Sequence, residues 1–304
     1  MVRRMLAAGL ALVALVATGC SPESEAESPV QVGRDLGASQ VLRQRVFAER
    51  ETGDLRLDLF LPDHDRPAPL VVYAHGGGWN AGERTLRPGT PEGSAARALL
   101  TAGYAVATVD YRLSGAARHP AQLRDVAEAV RWLQGKATDL GVDPDRLALW
   151  GASAGGHLVS QLGAVTGDPA QPGGGLTGVR AVLNWFGPTD MRAEVQRAHP
   201  RMRPYARAAV TELLGCAPVE CPQRAAAASP VTHLSGDEPP FLIQQGTADS
   251  LVPVGETFDF AAELRRRNVP VELHPYEGLD HGFAKAENPE TITKTLVAYV
   301  KTHV

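Results

Sequence analysis

The sequence is poor in the features that mark several specialised classes of protein. It has only three cysteines, Cys20, Cys216 and Cys221, too few for a disulfide-framework miniprotein or a four-ligand zinc site. Neither charge dominates, because 30 Lys and Arg stand against 34 Asp and Glu, so the electrostatic signature of a nucleic-acid-binding protein is missing. Hydrophobic residues make up 44% of the 304 positions, which predicts a globular protein with a sizeable core.

The apolar segment near the N-terminus is too short to cross a membrane. Residues 5–18 carry no charge and follow two arginines, whereas a spanning helix needs about 20 apolar residues. A basic start followed by a short apolar run is typical of a signal peptide. Residues 17–20 (ATGC) resemble the bacterial lipobox, in which the cysteine is lipidated. We therefore expect a lipoprotein-type signal peptide over residues 1–19, lipidation of Cys20 and an exported, membrane-anchored protein; secretion without lipid is the alternative.

Two further features fit an exported protein: the composition of the segment after the signal peptide, and the number of cysteines. Residues 20–38 are rich in Ser, Glu and Pro, and we expect them to form a flexible tether. If Cys20 carries lipid, Cys216 and Cys221 remain in an oxidising compartment, close together in sequence. We expect a disulfide between these two cysteines, which would stabilise the fold by about 2 kcal/mol.

The rest of the chain, residues 39–304, alternates β-rich runs with helical patterns. The β-rich runs are residues 41–47, 55–61, 70–74, 104–109, 147–150, 181–186, 241–245 and 271–276. Apolar residues recur at helical spacing over residues 121–135, 256–267 and 290–301. A hairpin followed by alternating strands and helices predicts one α/β domain, with a mostly parallel eight-stranded sheet and helices on both faces.

Residues 187–240 interrupt this alternation, because they contain no convincing strand pattern. A connection of this length within a compact domain is usually functional, so we expect a cap or lid-like insertion. Its first part carries five arginines, Arg192, Arg197, Arg201, Arg203 and Arg207. Two interpretations of these arginines stay open: a basic rim for an acidic substrate, or an ordinary solvated helix face.

Residues 151–155 (GASAG) fit the G-x-S-x-G pattern of a nucleophilic serine. The pattern lies between a strand-like run and a helix-like run, the context in which it is meaningful. Ser153 has to sit on a sharp turn for its hydroxyl to project from the sheet, and the two glycines let strand and helix approach closely. The helix N-terminus adds free N–H groups and positive potential. We predict that Ser153 is a nucleophile.

Residues 75–79 (HGGGW) directly follow the apolar run over residues 70–74. Three consecutive glycines expose backbone N–H groups that side chains would otherwise shield. Such donors are what an oxyanion hole requires, because they can be fixed where negative charge develops. The alternative is a flexible glycine loop with no role in chemistry, which the later G-x-S-x-G pattern disfavours.

A serine nucleophile needs a general base, and the base needs an acid to orient it. His281 lies in a loop after the last strand run, at the sheet edge where Ser153 is expected. Asp249 follows the run over residues 241–245 and would reach the same edge. Asp280 is a poorer candidate, because neighbouring loop side chains diverge. The predicted triad therefore has the order Ser153, Asp249, His281, which is the order in α/β hydrolases.

With these motifs, the chain resembles the α/β-hydrolase esterase and lipase group related to bacterial hormone-sensitive-lipase-like enzymes. Within it the chain is most similar to the BD-FAE type, the bifunctional feruloyl and acetyl-xylan esterases. The likeness covers roughly residues 45–303 and includes the segments VDYRL (109–113), HPAQ (119–122), GGH (155–157) and GPTD (187–190). The resemblance implies that the backbone N–H groups of Gly77, Gly78 and Ala154 form the oxyanion hole.

The motifs predict a serine carboxylic-ester hydrolase that works through an acyl-enzyme and needs neither a metal ion nor an organic cofactor. The resemblance implies short-chain or carbohydrate-linked acetyl or feruloyl esters, small or polymeric, as substrates. An exported amidase, formamidase or peptidase-like hydrolase on the same scaffold is the rival interpretation. A non-catalytic binding module is a third, disfavoured because every expected catalytic element is present. No nucleic-acid partner is expected, and membrane contact is expected only through a lipid on Cys20.

Overall fold

An eight-stranded sheet forms the centre of the protein. The computed structural model describes residues 33–63, 67–192, 200–283, 286 and 289–304. The strands are β1 (Gln40–Ala48), β2 (Leu55–Leu61), β3 (Ala68–Ala74), β4 (Ala105–Val109), β5 (Val142–Ala152), β6 (Val179–Trp185), β7 (Phe241–Gly246) and β8 (Val271–Tyr276). They lie side by side in the order β1-β2-β4-β3-β5-β6-β7-β8.

The sheet is mostly parallel, with an antiparallel edge. β1 pairs with β2 and β2 with β4 in antiparallel orientation, whereas every other neighbouring pair is parallel. Gly53 has a φ of +114° in the turn that joins β1 to β2, a conformation that glycine adopts readily. Every residue of β3 and β4 is buried, as expected for central strands covered on both faces. The predicted mixed, mostly parallel sheet is therefore confirmed.

Helices cover both faces of the sheet, as predicted. They are α1 (Pro91–Thr101), α2 (Ala121–Gly135), α3 (Ala137–Leu140), α4 (Ala154–Val165), α5 (Arg203–Leu214), α6 (Pro222–Ala227), α7 (Val254–Arg266) and α8 (Pro289–His303). One hydrophobic cluster contains Leu123 of α2, Leu158 of α4 and Phe260 of α7. A second cluster contains Leu99 of α1 and Leu296 of α8, so the core has two layers separated by the sheet.

Two elements depart from the predicted pattern. Helix α1 was not predicted, because its buried side includes small residues such as Gly93 and Ala95, which weaken an apolar stripe. Its start is nevertheless marked in the sequence, since Thr90 Oγ1 accepts a hydrogen bond from the N–H of Gly93 at 3.0 Å. Strand β5 begins earlier than predicted, because the polar residues before residue 147 continue the pairing with β3, where Val142 lies opposite Ala68.

The packed body begins before residue 39. Residues 33–35 are helical, and Leu36 is only 1% exposed within the cluster that contains Leu99. Residues 33–38 therefore belong to the domain rather than to the expected tether, because burial of Leu36 holds them against it. The predicted signal peptide, Cys20 and the remainder of the tether lie outside the described residues.

The described part of the connection between β6 and β7 consists of short helices joined by loops. It contains α5, α6 and a 3₁₀ turn at Pro230–Thr232, and no strand occurs in its described part. Helix α5 packs on the core through Val210 and Leu213. Cys216 and Cys221 form the expected disulfide, which closes the turn between α5 and α6.

Candidate active site

Ser153 occupies a strained turn between β5 and α4. Its φ is +54° and its ψ is −118°, a combination that residues with a side chain rarely adopt. The turn is held on one side by a 2.8 Å hydrogen bond from the N–H of Ser153 to the carbonyl oxygen of Trp185, at the end of β6. The hydroxyl therefore stands above the carboxyl ends of the central strands.

Two glycines allow the backbones around Ser153 to come together. A Cβ atom at Gly151 would lie 2.3 Å from the carbonyl carbon of Gly155. A Cβ atom at Gly155 would lie 2.0 Å from the carbonyl oxygen of Ala74, closer than non-bonded atoms permit. Because Ala74 also lies opposite Gly151 in the sheet, the loop that follows β3 begins beside Ser153.

Ser153, His281 and Asp249 form a continuous chain of hydrogen bonds. Nε2 of His281 lies 2.9 Å from Oγ of Ser153, and Nδ1 lies 2.8 Å from Oδ2 of Asp249. A carboxylate can only accept, so Nδ1 carries the proton and Nε2 is free to accept the serine hydroxyl. The three residues follow β5, β7 and β8, whose parallel pairing brings their carboxyl ends to one edge. The structure thus brings together the residues predicted for the triad.

The carboxylate of Asp249 is fully buried and held by several donors. Oδ1 accepts the N–H groups of Leu251 and Val252 at 2.9 and 2.8 Å. Oδ2 accepts Nε2–H of Gln245 at 2.8 Å in addition to the imidazole. These donors fix the carboxylate in place and stabilise its negative charge. Asp249 is not the N-cap of α7, because that position belongs to Pro253.

Asp280 does not contact the imidazole. Its Oδ1 accepts the N–H and the hydroxyl of Ser250, at 2.8 and 3.0 Å, and the N–H of His281 at 2.7 Å. The N–H group of Ser250, ahead of its other donors, holds the pKa of Asp280 below its usual range. Asp280 therefore ties the loop of Asp249 to the loop of His281, and the expectation that it is not the orienting acid agrees with this geometry.

The glycine loop lies against the serine turn. A Cβ atom at Gly76 would lie 3.3 Å from Cβ of Ser153. Gly77 and Gly78 have φ values of +114° and +58°, which residues with a side chain rarely adopt. Ala154 opens helix α4 directly after the serine, so its N–H is one of the groups that a helix leaves unpaired at its start.

His157 connects the glycine loop to the insertion, a role that the sequence alone did not reveal. Its Nδ1 accepts Nε1–H of Trp79 at 3.1 Å, and its Nε2–H donates to the carbonyl oxygen of Ala228 at 2.7 Å. The side chain is completely buried, and this burial lowers the pKa of His157 to about 3. Trp79 is itself held at a φ of +62°. The HGGGW and GGH segments contain Trp79 and His157, but neither segment indicates that His157 also bonds to the backbone carbonyl of Ala228.

A small apolar pocket opens beside Ser153. Its volume is about 20 Å³, and helix α5 of the insertion forms one wall. The lining includes Trp79, Tyr205, Ala209, Val210 and Leu251. A space of this size holds about one water-sized group, such as a methyl group.

The arginines of the insertion lie outside this pocket wherever they are described. None of them contributes to the lining beside Ser153. Arg192 forms an ion pair with Asp190, with Nε 2.8 Å from Oδ1. Arg207 is exposed on α5, and Arg197 lies outside the described residues. The described residues give no support to a basic rim at this site.

The described part of the chain offers neither a cluster of metal ligands nor a membrane-spanning helix. It contains no group of three or more His, Cys, Asp or Glu side chains placed to hold a metal ion. None of its helices combines the length and the apolarity that crossing a membrane requires. The polar side chains around Ser153 are instead hydrogen-bonded to one another.

The sheet order, the serine turn and the hydrogen-bonded histidine and aspartate define an α/β hydrolase. The chain belongs to the BD-FAE family, whose profile matches residues 57–264. It is 34% identical to the probable carboxylic ester hydrolase LipM of Mycobacterium tuberculosis over 77% of this chain and 54% of LipM. The chain spans about half the length of the curated relatives that it matches.

Solved structures show the same fold. A truncated carbohydrate esterase from gut microbiota superposes with a TM-score of 0.72 at 25% identity, covering 88% of this chain and 98% of the other. The propionate-bound esterase Est2 of Thermogutta terrifontis superposes with a TM-score of 0.67 at 25% identity, covering 88% and 94%. The α/β-hydrolase fold expected from the sequence is thereby confirmed.

The buried His157 makes the stability of the protein depend on pH. Its pKa is about 3 in the folded chain and near 6.5 when unfolded, so only the unfolded chain binds the proton between these values. The free energy of unfolding should therefore fall as pH falls through this window, by up to about 1.4 kcal/mol per pH unit from this residue.

Replacing the imidazole removes this contribution. We expect His157→Gln to lower stability at neutral pH and to show a shallower loss of stability on acidification. Urea unfolding at several values between about pH 4 and pH 7 measures how steeply the free energy of unfolding depends on pH in the wild type and in the variant. Equal slopes in the wild type and the variant would show that His157 is not held neutral.

Proposed function

We propose that the protein hydrolyses carboxylic esters through an acyl-enzyme formed on Ser153. The observation that carries the proposal is the unbroken hydrogen-bond chain from Ser153 through His281 to Asp249. Membership of the BD-FAE family supports it, as do the ester-hydrolysing relatives and structural neighbours. The activity needs only groups that the chain itself supplies.

In the first half of the proposed reaction, Oγ of Ser153 attacks the ester carbonyl carbon while Nε2 of His281 takes the hydroxyl proton. The carbonyl π electrons move to oxygen, and the N–H groups of Gly77, Gly78 and Ala154 stabilise that negative charge. The buried carboxylate of Asp249 stabilises the imidazolium. The tetrahedral intermediate then collapses, and the alcohol leaves with the proton from Nε2.

In the second half, water attacks the acyl-enzyme and gives a proton to Nε2 of His281. The new tetrahedral intermediate collapses by breaking the bond to Oγ, which recovers its proton from the imidazolium. The carboxylic acid leaves, and the hydrogen-bond chain is restored. His281 serves as base and acid in turn, which its single hydrogen bond to Asp249 permits without rotation of the ring.

The acyl group of the substrate is proposed to be short, and the alcohol to be a carbohydrate. The pocket beside Ser153 has room for about one methyl-sized group, which suits acetyl esters. The propionate bound to Est2 of Thermogutta terrifontis and the carbohydrate esterase among the structural neighbours support the same substrate class.

Substitutions of the three proposed triad residues test their roles, and a substitution of Asp280 serves as the control. Ser153→Ala and His281→Ala should abolish nearly all hydrolysis of p-nitrophenyl acetate. Asp249→Asn should lower kcat by about 10⁴-fold, because the amide favours the wrong imidazole tautomer. Asp280→Asn is the matched control and should cost far less, since the new amide oxygen can still accept from Ser250 and His281. Comparable losses at positions 249 and 280, or turnover without Ser153, would overturn the assignment.

Substitution of Tyr205, which forms part of the pocket wall, tests whether the pocket limits the length of the acyl chain. The hydroxyl of Tyr205 lies only 2.6 Å from where a Cβ atom at Gly78 would stand, so this side chain closes the pocket against the glycine loop. Tyr205→Ala should raise kcat/KM for butyrate and hexanoate esters relative to acetate. Phe258→Ala removes a similarly exposed aromatic ring away from the pocket and should leave the ratio unchanged. An unchanged ratio in Tyr205→Ala would show that α5 does not limit acyl length.

We also propose that the chain is exported and anchored through lipid on Cys20. The basic and apolar start of the sequence and its lipobox-like ATGC segment support this. Cys20→Ser should move the protein from the membrane fraction of expressing bacteria to the soluble fraction. The paired variant Cys216→Ser with Cys221→Ser should stay membrane-bound. Membrane association that persists without Cys20 would contradict the anchor.

A further inference from the structure

A second cavity lies on the side of the domain, away from Ser153. Its volume is about 380 Å³, within the range of small-molecule sites. It is bounded by the start of α2, the far half of α4 and the insertion, and its polar lining consists of Arg118, His119, Gln161, Gln171, Arg224 and His233. Gln161 lies two turns along α4 from the serine turn, about 12 Å away.

The two guanidinium groups of this cavity have no carboxylate partner among the described residues. Arg224 donates to the carbonyl oxygen of Leu214 at 3.3 Å, and the side chain of Arg118 lies over Gly215. Each guanidinium group thus lies near the end of α5. Both residues are exposed and line the cavity, so their guanidinium groups are open to a ligand that enters from solvent. No acidic residue lines the cavity, so the side chains of its lining carry a net positive charge.

Two histidines add hydrogen-bonding groups to the lining. Nε2–H of His119 donates to Oε1 of Gln161 at 3.1 Å, and Nε2–H of His233 donates to the carbonyl oxygen of Ala227 at 3.0 Å. Burial, the larger influence, lowers the pKa of His119 to about 4, and neighbouring His233 acts in the same direction. His119 is therefore uncharged at neutral pH, whereas the two guanidinium groups are permanent positive charges of the lining.

The remaining wall is apolar. Pro120, Val165, Pro172 and Leu214 supply apolar side chains to the lining. A ligand that fills the cavity therefore needs an anionic end and a short apolar body. Planar guanidinium groups bind carboxylate and phosphate alike through paired hydrogen bonds, so the apolar wall is what favours an organic anion over an inorganic one.

We propose that this cavity is a binding site for a small organic carboxylate, with Arg118 and Arg224 holding the carboxylate and the apolar wall holding its tail. The site is separate from the pocket beside Ser153, with which it shares no lining residue. The proposal does not depend on ester hydrolysis, because it concerns binding at residues outside the hydrogen-bonded triad.

Isothermal titration calorimetry tests the site with a series of probes: formate, propionate, butyrate, benzoate and inorganic phosphate. We expect affinity to rise from formate to butyrate or benzoate, to a Kd of about a millimolar. The paired variant Arg118→Gln with Arg224→Gln should weaken binding about tenfold, equivalent to about 1.4 kcal/mol. The paired variant Arg97→Gln with Arg265→Gln removes the same charge from exposed sites elsewhere and should bind as the wild type does.

A second measurement uses the unmodified chain and so does not rely on the variants folding. Titration with butyrate should shift the imidazole NMR signals of His119 and His233 with the same Kd as calorimetry. The proposal is overturned if those signals do not move, if phosphate binds as tightly as butyrate, or if both double variants bind alike. Esterase activity enters none of these measurements, so failure here is distinguishable from failure of the proposed function.

Discussion

The site depends on one close backbone approach, between the start of α4 and the end of β3. Gly155 packs so tightly on the carbonyl oxygen of Ala74 that no side chain would fit between them. This contact limits the distance between the serine turn and the glycine loop, which begins directly after Ala74. It also explains why Ser153 can be held at an unfavourable φ: the strands and α4 on either side leave the turn no room to relax.

Much of this arrangement was predictable, because parallel strands bring distant parts of the sequence to a common edge. Ser153, Asp249 and His281 each follow a recognisable strand, so their placement required only strand order and direction. The link from His157 to the carbonyl oxygen of Ala228 was not predictable. Every residue has a backbone carbonyl, so the sequence does not indicate which one accepts a hydrogen bond. His157 lies in α4 and Ala228 follows α6, and no sequence motif links these two elements.

Other features were missed for different physical reasons. Helix α1 buries small residues, so packing rather than an apolar stripe stabilises it. The size of the acyl pocket depends on how α5 sits over Ser153, which is decided by side-chain contacts such as Val210 with the core. Glu256 is another case, since its buried carboxylate accepts the N–H groups of Thr189 and Asp190 at 2.6 and 2.9 Å and so fixes where the insertion leaves the sheet.

The bridge made by Asp280 has a consequence for how such enzymes diversify. Because one carboxylate oxygen holds both Ser250 and His281, the loops after β7 and β8 form a single mechanical unit. A chimera that takes one of these loops from a relative and leaves the other would separate the carboxylate from the N–H groups that it binds. The two loops are therefore expected to be inherited and exchanged together.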